Sequence, residues 1–106
     1  VSQLNLTTGN CLTDQGNVGT NTAGFGLSIK EGTNAKMGTV VLNGTTAVTV
    51  STTAVTASSR IFLSINTPGG TPGSPYVSAR TAGASFQVKS AAGDTSTAAW
   101  MLVEPS

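Results

Sequence analysis

Histidine is absent from this 106-residue chain, charged residues make up only 8% of it and aromatic residues 5%. Without histidine there is no imidazole general base, no Ser/His or Cys/His nucleophile pair and no imidazole metal ligand. A single cysteine, Cys11, excludes an intrachain disulfide and any CxxC metal or redox motif. We read it as an inert thiol. A nucleophile needs an electropositive neighbourhood, and no basic residue lies near it in sequence before Lys30, so the fold would have to supply one. Five Lys or Arg against four Asp or Glu leave a net charge of +1, which steers the chain toward neither nucleic acid nor an anionic membrane. No apolar run approaches the roughly 18 to 20 residues that span a bilayer, and no basic-then-apolar leader opens the chain, so membrane insertion is not expected. The chain begins with Val rather than Met, and we read it as a fragment or mature product of something longer.

What the chain has in place of charge is hydroxyl: Ser and Thr supply 30 of the 106 positions and Gly another 13. Its length suits one domain with one modest core. Residues 1–24 are rich in Asn, Thr and Gly with scattered apolar positions; residues 1–6 alternate as a short strand does, and turn-like stretches follow. Beyond Phe25 the texture becomes short Val-, Ile- and Thr-rich runs at intervals of about 8 to 12 residues, the pattern of an all-β sandwich. Strands are expected at residues 26–30, 38–42, 47–51, 61–66, 76–80, 85–89 and 98–104, and no segment reads as a helix. Asn43-Gly44 predicts a type I′ hairpin joining the second and third of these. Ala82-Gly83 and Ala92-Gly93-Asp94 predict the remaining hairpins. Residues 67–75, with three prolines and three glycines, predict a long exposed loop.

Alternation sorts the faces. Ile61, Leu63 and Ile65 oppose Phe62, Ser64 and Asn66, and Phe86 and Val88 oppose Gln87 and Lys89, so these strands have one wet side. The last strand has none: Trp100 and Leu102 face one way, Met101 and Val103 the other, and both sides need cover. A small sandwich offers one inner face per sheet, so the second face of the last strand, with Phe62, calls for a subunit interface.

Gly32-Thr33-Asn34-Ala35-Lys36-Met37-Gly38 and Thr56-Ala57-Ser58-Ser59-Arg60-Ile61-Phe62-Leu63 resemble a module found near the C-terminal ends of bacteriophage tailspike, tail-fibre and other virion appendage proteins. Pro68-Gly69-Gly70-Thr71, Val77-Ser78-Ala79-Arg80-Thr81 and Asp94-Thr95-Ser96-Thr97-Ala98-Ala99-Trp100-Met101 continue the likeness in the same order. It covers residues 32–105, about 70% of the chain. The resemblance implies a β-sandwich of jelly-roll type that closes the distal end of a homotrimeric fibre on the virion. Its partners are then its own copies and the upstream part of the same fibre or spike. Residues 32–106 would form this domain, and residues 1–31 a connecting or edge segment such as the end of an upstream shaft.

Each notable side chain has a structural reading beside a functional one. Phe62, Trp100, Met101 and Val103 read as core or trimer interface; the alternative for Trp100 is a sugar-stacking platform. Tyr76, at a strand entrance after the Pro/Gly loop, and Thr71 and Ser74 within that loop are the candidates for glycan contact, against turn packing. Arg60 and Arg80 read as structural, pairing with Asp94 or Glu104 or bonding to carbonyls at an interface. Asp14, Glu31, Asp94 and Glu104 belong to no Ca²⁺ loop and to no recognisable glycosidase pair, unless the fold brings two together. Asn5 and Asn43 head glycosylation sequons of the kind that arise by chance in a chain rich in Asn and Thr. No catalytic residue, metal site or cofactor is expected. The leading function is a non-catalytic trimerisation and tip domain of a virion appendage. A lectin-like host-recognition module is the alternative, and the third is a part of a polysaccharide-degrading tailspike whose active site lies upstream.

Overall fold

The computed structural model describes residues 22–105, which form six strands and no helix. They are β1 (Met37–Val41), β2 (Val48–Ser51), β3 (Arg60–Thr67), β4 (Tyr76–Thr81), β5 (Ser85–Lys89) and β6 (Thr97–Val103). All pairings are antiparallel and make two three-stranded sheets, ordered β1-β6-β3 and β2-β5-β4, packed as a sandwich. The central strands are thus β6 and β5, and the core sits between them.

Register places the alternating side chains. Gly38 and Leu63 flank Trp100, Val40 and Ile65 flank Ala98, and Ile61 lies beside Leu102, so these residues share the inner face of the first sheet. Val48 and Val77 flank Val88, and Val50 pairs with Phe86, on the inner face of the second. Leu42, Val50, Val55, Phe86, Val88, Ala98, Trp100 and Leu102 form the buried cluster. The rings of Trp100 and Phe86 meet edge to face across the gap, with centroids 5.3 Å apart and an interplanar angle of 79°.

The indole of Trp100 occupies space that a side chain on β1 would otherwise fill. A Cβ at Gly38 would stand 2.9 Å from Trp100 Cζ2, so the glycine is required by close approach rather than by backbone freedom. The Trp100 Nε1 proton has no acceptor among the described residues, a polar atom left unsatisfied to place the ring in the core.

Six of the seven expected strands form within one or two residues of their predicted ends. The seventh does not: residues 26–30 belong to no strand, and Phe25 and Leu27 are 73% and 83% exposed. An alternating run becomes a strand only where a ladder partner exists, and the described residues offer none. The turns are corrected too. Thr46 N donates to Asn43 O at 3.0 Å, so Gly44 and Thr45 are the central residues and only Gly44 has a positive φ, 59°. The turn bridges Asn43 to Thr46 but leads from β1 in one sheet to β2 in the other. Residues 92–94 likewise carry the chain from β5 across to β6. Only Ala82-Gly83 closes a hairpin of paired strands, β4 with β5. The strand-like alternation at residues 1–6, the sequon at Asn5, Cys11 and Asp14 lie outside the described residues.

Replacing Trp100 by Ala removes the side chain that joins the two sheets, and the expected loss is about 3 to 5 kcal/mol in urea denaturation. Gly38→Ala is expected to cost about 1 to 3 kcal/mol by overpacking against the same ring. A neutral Gly38→Ala would show that the indole has room to move.

Candidate functional site

Three places gather the polar and exposed groups. The first is a knot around Asp94 at the β5–β6 crossover. Its carboxylate is fully buried. Ser90 Oγ donates to Oδ2, Gly73 N donates to Oδ2 at 3.0 Å, and Ser96 N donates to Oδ1 at 3.0 Å. These neutral donors take the place of a counter-ion. The Ser90 hydroxyl first, and Ser96 next, hold the Asp94 pKa at about 2 against an ordinary 3.8, outweighing the opposing effect of burial.

The same knot pins the Pro/Gly loop. Thr71 N donates to Gly93 O at 2.9 Å, Thr95 N to Gly69 O at 3.3 Å and Gly69 N to Ser96 Oγ at 3.0 Å. A Cβ at Gly69, Gly70 or Gly73 would overlap Thr95 O, Gly93 O or the Ala91 side chain. The loop is therefore exposed only in part: its backbone is stitched to the crossover, while Thr71, Pro72 and Ser74 remain exposed. Tyr76, 53% exposed, opens β4 beside it.

The second place is the opposite end of β6. Thr56 Oγ1 and Ser59 Oγ each donate to the Glu104 carboxylate at 2.7 Å, and Lys36 Nζ lies 3.7 Å from it. The Ser59 hydroxyl, then that of Thr56, depresses the Glu104 pKa. Among the described residues neither arginine joins a carboxylate. Arg60 Nη1 donates to Ser58 O at 2.7 Å and Arg80 Nη1 to Ser59 O at 2.6 Å. Both bonds lie within the protomer rather than at an interface, and Arg80 ties the second sheet to the turn that enters β3. The strand β6 lies between Asp94 and Glu104 and keeps them roughly 20 Å apart at about 3.4 Å per residue, too far for a glycosidase pair. Among the described residues no three of His, Cys, Asp and Glu come together.

The third place is the outer face of the β1-β6-β3 sheet. Pairing brings Met37 and Phe62 to either side of Met101, and Thr39 and Ser64 to either side of Ala99. Of these, Met37, Phe62, Ser64, Ala99 and Met101, together with Glu31, line a groove of about 370 Å³. Along the same face Val41 is 61% exposed, Phe62 56% and Val103 43%, whereas Trp100 on the inner side is buried. The outer face of the other sheet carries Thr49, Ser51, Gln87 and Lys89. The first outer face therefore exposes several large apolar side chains, interleaved with Thr39, Arg60 and Ser64, whereas the second is mainly polar. Sequence reasoning marked Phe62, Met101 and Val103 but missed Met37 and Val41, whose alternation on a five-residue strand interrupted by Gly38 is too short to read.

The site geometry is thus that of a small two-sheet sandwich in which Asp94 and Glu104 are engaged mainly by serine, threonine and glycine donors and in which one outer face exposes large apolar side chains. The family model for the K1 capsule-specific polysaccharide lyase C-terminal domain matches residues 34–103, and the chain belongs to that family, a phage tailspike module associated with the virion. Among curated proteins and among solved structures nothing matches the chain. The family is the C-terminal domain of a lyase, and no catalytic domain is evident within this short chain.

Because Asp94 is more acidic folded than unfolded, its contribution is complete above pH 4 and is lost as pH falls toward 2. Asp94→Asn is therefore expected to melt well below the parent at pH 7, with the gap closing by pH 2. A gap that stays constant across that range would mean the carboxylate charge does not hold the crossover.

Proposed function

We propose that this chain is the non-catalytic C-terminal domain that holds three copies of a capsule-degrading tailspike together at the distal end, with the polysaccharide-cleaving site in an upstream domain. The observation that carries the reading is the apolar outer face of the β1-β6-β3 sheet, together with the family match to a lyase C-terminal domain. Phe62, Met101 and Val103 occupy that face at exposures that cost a soluble monomer free energy and that a neighbour would remove. The jelly-roll topology that the resemblance implies takes eight strands, two more than the six described, so the reading rests on the sandwich and its dry face.

A second reading is favoured by the Asp94 knot. A loop whose backbone is already fixed loses little freedom on binding a ligand, and Thr71, Ser74 and Tyr76 stand exposed on and beside it. Host-surface glycan contact at this loop fits those groups, each site weak and three copies strengthening one another.

Sedimentation equilibrium at micromolar concentration is expected to give a trimer, and Met101→Asp or Val103→Asp to dissociate it, since an unpaired charge in an interface costs several kcal/mol. A monomeric parent overturns the reading; an unchanged oligomer in both variants moves the interface off this face. Replacing residues 69–74 by a short turn is expected to abolish binding to host cells. Retained binding removes the loop from recognition.

A further inference from the structure

The segment ahead of β1 supplies what the groove lacks. Phe25, Leu27 and Ile29 fall at alternate positions, so extended chain presents them on one side. Phe25 and Leu27 are the two most exposed large apolar side chains among the described residues, at 73% and 83%. The pattern is that of a strand, yet residues 26–30 join neither sheet of this protomer. A few residues further on, the groove between Met37, Phe62, Ser64, Ala99 and Met101 stands open, with Glu31 on its rim. Arm and groove match in character: an apolar edge facing an apolar floor, and Lys30 on the arm facing a carboxylate at the groove.

We propose that residues 24–30 form an exchange arm, in which Leu27 of one protomer seats in the groove of the next and Lys30 meets Glu31 of that next protomer. This rests on the homo-oligomer reading above and adds the contact that builds it. Because the arm and the groove are different surfaces, the interface is head-to-tail, and a chain of such contacts is satisfied when it closes into a ring. In a closed ring every arm is seated and every groove filled, which accounts for both the exposed Leu27 and the half-exposed Phe62 of the single protomer.

The test uses the whole chain carrying Cys11→Ser, with Leu27→Cys on the arm and Ser64→Cys in the groove, both at exposed positions. Sedimentation equilibrium under reducing conditions is read first, and mild oxidation follows. The expected result is a disulfide-linked ladder up to the size of the sedimenting species on a non-reducing gel, collapsing to single chains with reductant. A species that sediments as an oligomer but forms only an intrachain link, or none, overturns the arm while leaving the oligomer standing. A monomer in sedimentation overturns both. Leu27→Asp provides the second arm of the test: its association should weaken by about tenfold or more, as expected for losing the burial of a leucine, with secondary structure intact. Association unchanged from the parent overturns the exchange.

Discussion

The edge-to-face contact of Trp100 with Phe86 is the constraint on which the sandwich depends. Each ring comes from the central strand of its sheet, so one contact joins the two layers at their middle. Its geometry dictates the neighbours. Gly38 is needed because the indole takes the space over β1, and the small Ala98 and the valines of β2, β4 and β5 fill what two rings leave. A core with so few large side chains stabilises little by area alone, and a chain of this size buries only about two thirds of its unfolded surface.

Polar groups make up part of the difference. The two carboxylates at the ends of β6 are each satisfied by neutral hydroxyl and amide donors, and each gathers segments distant in sequence. Asp94 draws the Pro/Gly loop onto the crossover; Glu104 draws together the 56–59 turn and Lys36. In a chain with 30 Ser and Thr and only four acids, the hydroxyls serve as donors to the few charges and the sheets are held at both ends. The remaining free energy is available on the outer face of the first sheet, where Val41, Phe62 and Val103 meet water.

The strands were legible because period-2 alternation bounded by Gly, Pro and Asn is a local signal: residues 85–89 were placed to the residue, and the two-faced last strand pointed to an apolar outer surface. Sheet membership was not legible. Asn43-Gly44 and Ala92-Gly93-Asp94 have the chemistry of tight turns, but which sheet a strand joins is decided by the central β5 and β6, far away in sequence. The role of Asp94 was hidden for the same reason. Ser90 four residues before it and Ser96 two after hint at a capped turn, yet the donor through which it pins the Pro/Gly loop, Gly73, lies 21 residues away. Residues 26–30 show the converse: a local signal for a strand that pairs with neither sheet of the described residues.

The central claim is that the two outer faces of the sandwich differ, one covered by a neighbouring copy and one wet. Oxidative footprinting of the intact chain by mass spectrometry tests it directly, because Met101 and Phe62 report on one face and Tyr76 on the other. At micromolar concentration Met101 and Phe62 should be protected while Tyr76 is modified, and dilution through dissociation should expose the first pair alone. Equal modification of both faces at every concentration would contradict the account.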